Sequence, residues 1–170
     1  MASLVEELVS VMQQEKDGYD RLFELSDQKR EAIVKRRLQR LEELNTLEEG
    51  VASDLKNLEN KRTRCLQDMS AVLGHDREIL TVTQIIDLLE KQPAEQEQLQ
   101  ESKNALVASA TRMRQLNEQI QVLLKQALEM TEFDLTLFRS LKGAPETANY
   151  NKNAYNTGDV LPSSGFDAKQ

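Results

Sequence analysis

The sequence predicts an all-α protein: a long antiparallel helical coiled coil or bundle of about three long helices and one short helix, with a flexible C-terminal tail. The main observation is a row of mostly apolar positions in the second half of the chain, spaced alternately three and four residues apart. Such a repeat keeps one stripe of a helix turned toward a partner helix. We call this row the seam; it consists of Leu99, Ser102, Leu106, Ser109, Met113, Leu116, Ile120, Leu123, Ala127, Met130, Asp134, Leu137 and Leu141.

Composition supports the same fold class. Aromatic residues make up only 4% of the 170 residues and charged residues 30%, which is typical of an elongated helical protein rather than one with a wide core. The net charge of -7 disfavours binding to nucleic acid or to an anionic membrane surface. No stretch reaches the roughly 20 consecutive apolar residues that would span a bilayer. We therefore expect a protein partner, no nucleic acid and no membrane insertion.

The cellular compartment is predicted from the N-terminus and from the cysteine count. Glu6 and Glu7 stand where a secretory signal would carry basic residues before an apolar run. The single cysteine, Cys65, excludes an internal disulfide. Both features favour a cytoplasmic location.

The first half of the chain carries two apolar stripes with helical spacing, in residues 4–34 and 38–72. Ser3 and Glu6 have the spacing of a capping box, which predicts that the first helix begins at residue 3. Residues 35–37 are Lys-Arg-Arg, with neither Gly nor Pro to end a helix. The sequence therefore leaves open whether the two stripes belong to one bent helix or to two.

Turn signals indicate where the later helices begin and end. Gly74 predicts the end of the second stripe, since glycine readily takes the left-handed conformation that closes many helices. Thr81 and Gln84 predict a capping box at the start of a short helix, which we expect to plug the end of the bundle. Pro93 is expected to end that short helix and to open the long one, which Gly143 ends.

The connection between the second stripe and the long helix is rich in turn signals, so it should return the chain on itself. The long helix would then pack antiparallel against the stripe of residues 44–72. Three of its residues are expected in that core: Leu116, Ile120 and Leu123.

The composition changes after the long helix. From Gly143 onward, Asn, Ser, Gly and Pro dominate, and such a segment cannot bury enough apolar area to offset the entropy of ordering it. The predicted organisation is a helical coiled-coil domain over residues 1–142 and a mobile polar tail over residues 143–170.

Residues that could carry catalysis or bind a metal are few. His75 is the only histidine, which excludes sites that need two, and a single loop histidine is ordinarily solvated. Cys65 falls on an apolar stripe, as a small buried hydrophobic residue does, rather than where a nucleophile would be exposed. There is no glycine-rich phosphate loop and no zinc-ligand spacing. We expect no enzyme, no cofactor and no metal site.

A basic cluster admits two interpretations. Within residues 29–40, six basic residues face one acid, Glu31. The six are Lys29, Arg30, Lys35, Arg36, Arg37 and Arg40. A solvated helix face is the simpler interpretation, and a docking patch for an acidic partner is the alternative.

The apolar face of the long helix widens after Ile120. A second row appears beside the seam, formed by Leu124, Leu128, Leu135 and Phe138. A helix whose apolar face widens either packs against more helices there or leaves part of that face open for a partner.

Several segments of the chain are similar to those of a known protein family. They are LVEELVSVMQQEKDGYDRLFELSDQKREAIV near the N-terminus, VLG followed by TVTQIIDLLEK and Pro93, LNEQIQVLLKQALEMTEFDLTLFRSL at residues 116–141, and AYNTG at residues 154–158. In these segments the chain resembles the FlgN family of flagellar type III export chaperones. The likeness covers most of residues 1–141. It implies a cytoplasmic chaperone that binds hook-associated proteins of the FlgK and FlgL type and delivers them to the flagellar export gate.

Carried onto this chain, the resemblance implies that the client, the protein to be exported, binds to the second row and the start of the tail. Tyr150 and Tyr155 are then candidate partner contacts in the tail. Two alternatives stay open: a structural homodimeric coiled-coil spacer whose seam pairs with itself, and a chaperone of another secreted substrate.

Overall fold

The computed structural model describes residues 2–143, which form four α-helices and no β-strand. Their bounds are α1 (Ala2–Val34), α2 (Leu38–Val72), α3 (Val82–Leu88) and α4 (Pro93–Gly143). Three long helices and one short helix confirm the predicted all-α fold. The chain divides into two compact units, residues 1–132 and 133–170. Beyond Gly143, the predicted tail, with Tyr150 and Tyr155, lies outside the described residues.

The first helix starts earlier than the sequence predicts. α1 begins at Ala2, so Ser3 lies in its first turn and the predicted start with Ser3 as the cap is wrong. A capping residue has a non-helical backbone conformation, which Ser3 does not have here. α1 then continues without a break to Val34, with Gly18 inside it.

A tight turn over residues 35–37 separates α1 from α2, so the two apolar stripes belong to two helices. Arg36 has a φ of 53°, in the left-handed region that is uncommon for residues other than glycine. Its N–H donates to Ile33 O at 3.1 Å, and the N–H of Arg37 donates to Ala32 O at 2.9 Å. These two bonds form the Schellman motif that closes many helices.

The same motif closes α2 around Gly74, as the sequence predicts. Gly74 has a φ of 81°, and its N–H donates to Ala71 O at 3.1 Å. The N–H of His75 donates to Ser70 O at 2.8 Å. Glycine takes this conformation without the steric cost that Arg36 bears at the end of α1.

α1 and α2 form an antiparallel hairpin, and their backbones approach each other closely. Arg62 Nε lies 3.0 Å from the carboxylate of Glu15, and farther along α1 a Cβ placed on Gly18 would lie 2.7 Å from Leu55 Cδ2. A residue farther along α1 therefore meets a residue nearer the start of α2, which is the antiparallel arrangement. Glycine at position 18 leaves the space that the Leu55 side chain occupies.

The connection between α2 and α4 closes one end of the bundle. The Gln84 N–H donates to Thr81 Oγ1 at 3.3 Å and the Thr81 N–H donates to Gln84 Oε1 at 2.8 Å, which confirms the predicted capping box. α3 ends at Leu88, so the prediction that Pro93 ends it is wrong, although Pro93 opens α4 as predicted. The core cluster at this end consists of Val5, Leu8, Val11, Met12, Cys65, Leu66, Met69, Leu80, Ile85, Ile86, Leu89, Leu99 and Leu106.

Within residues 1–132, α4 runs parallel to α1. Arg112 Nη2 lies 3.1 Å from Asp20 Oδ1, and Arg36 Nη2 lies 3.0 Å from Met130 Sδ. A residue farther along α4 therefore meets a residue farther along α1 or in the turn after it, so the two helices run in the same direction. The Lys16 hydrogen bond holds the pKa of the Asp20 carboxyl below its usual range, and Ser109, a polar position of the seam, acts in the same direction.

The level of α4 along α1 corrects one predicted contact. Leu116 and Ile120 are buried, as predicted, and Leu123 is half-buried beside them. Their cluster is completed by Ile33 of α1, and no buried residue of the 44–72 stripe belongs to it. α4 runs antiparallel to α2, as predicted, and its first part shares a core cluster with that stripe. The predicted packing of Leu116 and Ile120 against residues 44–72 is wrong, because these two residues lie level with the end of α1.

Candidate functional site

The seam of α4 is buried over its first part and exposed over its last part. Leu99, Leu106, Met113, Leu116 and Ile120 are buried, whereas Met130, Leu137 and Leu141 are exposed. The change follows Ala127, which is half-buried. The repeat itself does not change there, so the seam stays mostly apolar where its side chains are exposed.

The second row is exposed throughout. Its relative exposures are 38% for Leu124, 65% for Leu128, 50% for Leu135 and 55% for Phe138. Of the two interpretations that the sequence leaves open, an open face agrees with the exposure of these four residues. Covering one such side chain with a partner is worth roughly 1.5–3 kcal/mol.

The first two residues of the second row line a groove of about 270 Å³ that lies entirely within residues 1–132. Its other side is formed by the end of α1, the turn after it and the start of α2. The groove is lined by Ile33, Arg36, Leu38, Leu41, Leu124, Ala127, Leu128 and Thr131. We call it the corner groove. The sequence placed Ile33 and Leu38 on helix stripes but did not indicate that they would meet the second row.

Residues 133–143 make up the described part of the second unit and contain the other two members of the second row. In addition to Leu135 and Phe138, this segment exposes Phe133, Leu137 and Leu141. The Lys142 ammonium lies 4.7 Å from the centre of the Phe138 ring, a cation–π contact. Phe133 is not among the residues predicted from the sequence, although its spacing of four residues from Leu137 places it on the same helix face.

Acidic residues outside residues 29–40 form ion pairs with several members of the basic cluster. Arg30 pairs with Asp27, Lys35 with Glu31, and Arg40 with Glu43. Lys29 Nζ lies 2.5 Å from Glu48 Oε2, and this pair is largely shielded from solvent. Most of these pairs are exposed and contribute little to stability. Nearby acidic residues therefore form ion pairs with most of the cluster. Arg37 has no ion pair within 4.0 Å among residues 2–143.

The two residues that could have carried chemistry have ordinary surroundings. Cys65 is buried, and desolvation raises the pKa of its thiol, with the charge of Glu7 acting in the same direction. His75 Nδ1 lies 3.6 Å from Glu78 Oε1 in the loop after α2. In residues 2–143 no group of three or more His, Cys, Asp or Glu side chains is arranged to hold a metal ion. The described helices also include none with the length and apolar character of a membrane span.

Comparison with known proteins identifies the family of the chain. The model of the family described as FlgN protein matches residues 1–158. No curated protein and no solved structure matched the chain. The family match covers the α1–α2 hairpin, the capped short helix and the whole of α4, including the second row. The chain therefore belongs to the FlgN family of flagellar export chaperones.

Proposed function

We propose that this protein binds hook-associated proteins of the FlgK and FlgL type in the cytoplasm and delivers them to the flagellar export gate. Its place in the FlgN family makes it a flagellar export chaperone. The finer proposal is that the client binds to the second row of α4 and to the chain that follows it. Tyr150 and Tyr155 are proposed as further partner contacts in that following segment.

One observation carries the proposal. The apolar repeat of α4 continues through Leu141, but its side chains are exposed after Ala127, and the second row is exposed beside them. Exposed Leu and Phe side chains at helical spacing are costly to solubility and do not stabilise the free protein. They suit a surface that a partner covers.

The geometry of a helix face indicates the kind of client segment that would fit. An amphipathic helix can lay its own apolar face along such a row, with anchors three, four and seven residues apart. Leu124, Leu128 and Leu135 have four- and seven-residue spacings, and Phe138 follows three residues later. A client segment held in this way would be kept from aggregating through its own apolar face until export.

A homodimeric spacer remains the alternative, because a second copy could cover the same side chains. The two functions differ in stoichiometry. A chaperone of this kind is expected to be a monomer at low concentration and to form a 1:1 complex with a hook-associated protein. A spacer is expected to be a dimer without any client.

The experiment combines light scattering with a genetic test in the flagellated organism that encodes the chain. Purified protein is measured by size-exclusion chromatography with multi-angle light scattering, alone and with each purified hook-associated protein of that organism. Deletion of the gene should lower the hook-associated proteins in the culture supernatant and shorten or abolish filaments, and the intact gene should restore both. A stable dimer without client binding, or normal filaments in the deletion strain, would contradict the proposal.

A further inference from the structure

The corner groove combines an apolar floor with basic surroundings. Six of its eight lining residues are apolar, and the remaining two are Arg36 and Thr131. No acidic residue lines it. Its mouth is open to solvent at Leu38, which is 74% exposed, and at Leu128 on the opposite side. These two side chains do not support the core, so their burial is available to a partner.

The turn that forms one wall of the groove has a defined conformation. The two Schellman hydrogen bonds fix the backbone around Arg36, and the Arg36 side chain reaches α4 at Met130 Sδ. Ile33 is buried at the base of the same wall, in the cluster with Ile120. The groove is therefore built on packed residues and is present before any partner binds.

The electrostatic surroundings favour an acidic partner. The chain has a net charge of -7, but the segment around the turn is basic. Lys35 pairs with Glu31 and Arg40 with Glu43, whereas Arg37 has no ion pair within 4.0 Å among residues 2–143. Arg37 is exposed, and the first turn of α2 contains no acidic residue. The start of a helix also carries partial positive charge. An anionic side chain next to the groove would therefore be attracted, whereas a basic one would be repelled.

We propose that the corner groove binds one end of the client helix, and that this client segment is amphipathic with acidic residues along the edge that faces Arg37. The inference rests on the proposed function and adds two things to it. The α1–α2 turn becomes part of the client site together with Leu124 and Leu128. The charge of the client segment becomes a determinant of recognition.

The test measures the dissociation constants of the full-length protein for the purified hook-associated proteins of the same organism by isothermal titration calorimetry. The groove variant is Leu38→Ser, since Leu128 already belongs to the second row. Its matched control is Leu47→Ser, which changes an exposed apolar residue of the same helix outside the groove. A covered anchor is worth about tenfold to a hundredfold in affinity, so the groove variant should bind more weakly by that factor and the control normally.

The charge is tested separately with Arg37→Glu, a surface variant that leaves the apolar floor intact. The affinity of the unchanged protein for the client should fall as NaCl is raised from about 50 to about 500 mM. The Arg37→Glu variant should bind more weakly than the unchanged protein at low salt, and its affinity should depend less on the NaCl concentration. Unchanged affinity in the groove variant, or no salt dependence in the unchanged protein, would overturn the inference even though the client binds. If the unchanged protein binds no hook-associated protein at all, the proposed function fails as well.

Discussion

Arg62 Nε lies 3.0 Å from the carboxylate of Glu15, which is buried between α1 and α2. Arg62 keeps part of its side chain in solvent, so the two groups of this ion pair are unequally desolvated. Loss of water raises the pKa of Glu15 above its usual value, and the nearby charge and hydrogen bond of Arg62 only partly oppose this. The charged form of Glu15 is therefore a cost to the folded protein.

This relationship predicts a pH-dependent effect of Glu15→Gln. Because the folded-state pKa is raised, the cost of the carboxylate is absent at pH values below the unfolded pKa and appears as the pH rises through the folded one. Glutamine cannot ionise and does not bear this cost. The free energy of unfolding of the variant, relative to that of the unchanged protein, should therefore increase as the pH rises from 4 to 7. Urea denaturation at each pH measures the difference. A difference that shrinks with rising pH would mean that Arg62 stabilises the carboxylate overall.

The left-handed conformation of Arg36 predicts that glycine is preferred there. Arg36→Gly should be about 1 kcal/mol more stable than Arg36→Ala, because both remove the side chain but only alanine keeps the Cβ that strains a φ of 53°. Thermal and urea denaturation of the two variants give the comparison. Equal stability of the two variants would show that the turn relaxes away from this φ.

The two glycines inside helices predict different responses to alanine. A Cβ at Gly50 of α2 would meet nothing within 4 Å, so Gly50→Ala should raise the free energy of unfolding by about 0.5–1 kcal/mol through helix propensity. A Cβ at Gly18 would lie 2.7 Å from Leu55 Cδ2, so Gly18→Ala has to displace the Leu55 side chain. The cost of this displacement should cancel the increase in the free energy of unfolding that helix propensity provides. Urea denaturation measures both. Equal stabilisation by both substitutions would contradict the close approach of α1 and α2.

The buried part of the α4 seam predicts a large effect at Ile120. Ile120→Ala should lower the free energy of unfolding by about 2–5 kcal/mol, because it leaves a cavity between α4 and Ile33 of α1. Val122→Ala, two residues away on an exposed face, should change it by less than about 0.5 kcal/mol. Similar small effects at both positions, measured by urea denaturation, would mean that α4 does not pack on α1.

The sequence predicted the helices well where local signals are strong. Gly74 and the capping box of Thr81 with Gln84 were identified because their backbone roles require those residue types. The turn at Arg36 was not identified. The same Schellman motif ends α1 there, but its left-handed position is occupied by arginine, a residue type that does not indicate a helix end. Periodicity also cannot show which neighbouring helix a buried position meets, or at what level along that helix, and the partners of Leu116 and Ile120 were therefore misassigned.

The candidate site could be predicted only in part for a related reason. The second row is visible in the sequence because its residues lie on one helix at regular spacing. The opposite wall of the corner groove is formed by Ile33, Leu38 and Leu41, which are distant in sequence from Leu128. Only the tertiary packing of α1, α2 and α4 brings these residues together.

The central claim is that the second row is open in the free protein and is covered by the client. It is tested most directly by calorimetric titration of a hook-associated protein of the same organism into the double variant Leu128→Ser with Phe138→Ser. The matched control is Val107→Ser with Val122→Ser, which removes two exposed apolar side chains from α4 outside the second row. The loss of two anchors worth roughly 1.5–3 kcal/mol each should weaken binding by about two to four orders of magnitude.

The melting temperatures of the double variant and of its control should stay close to that of the unchanged protein, because all four side chains are exposed before the client binds. Normal client binding by the double variant Leu128→Ser with Phe138→Ser would contradict the claim. So would a large fall in its melting temperature, which would place these two residues in the core.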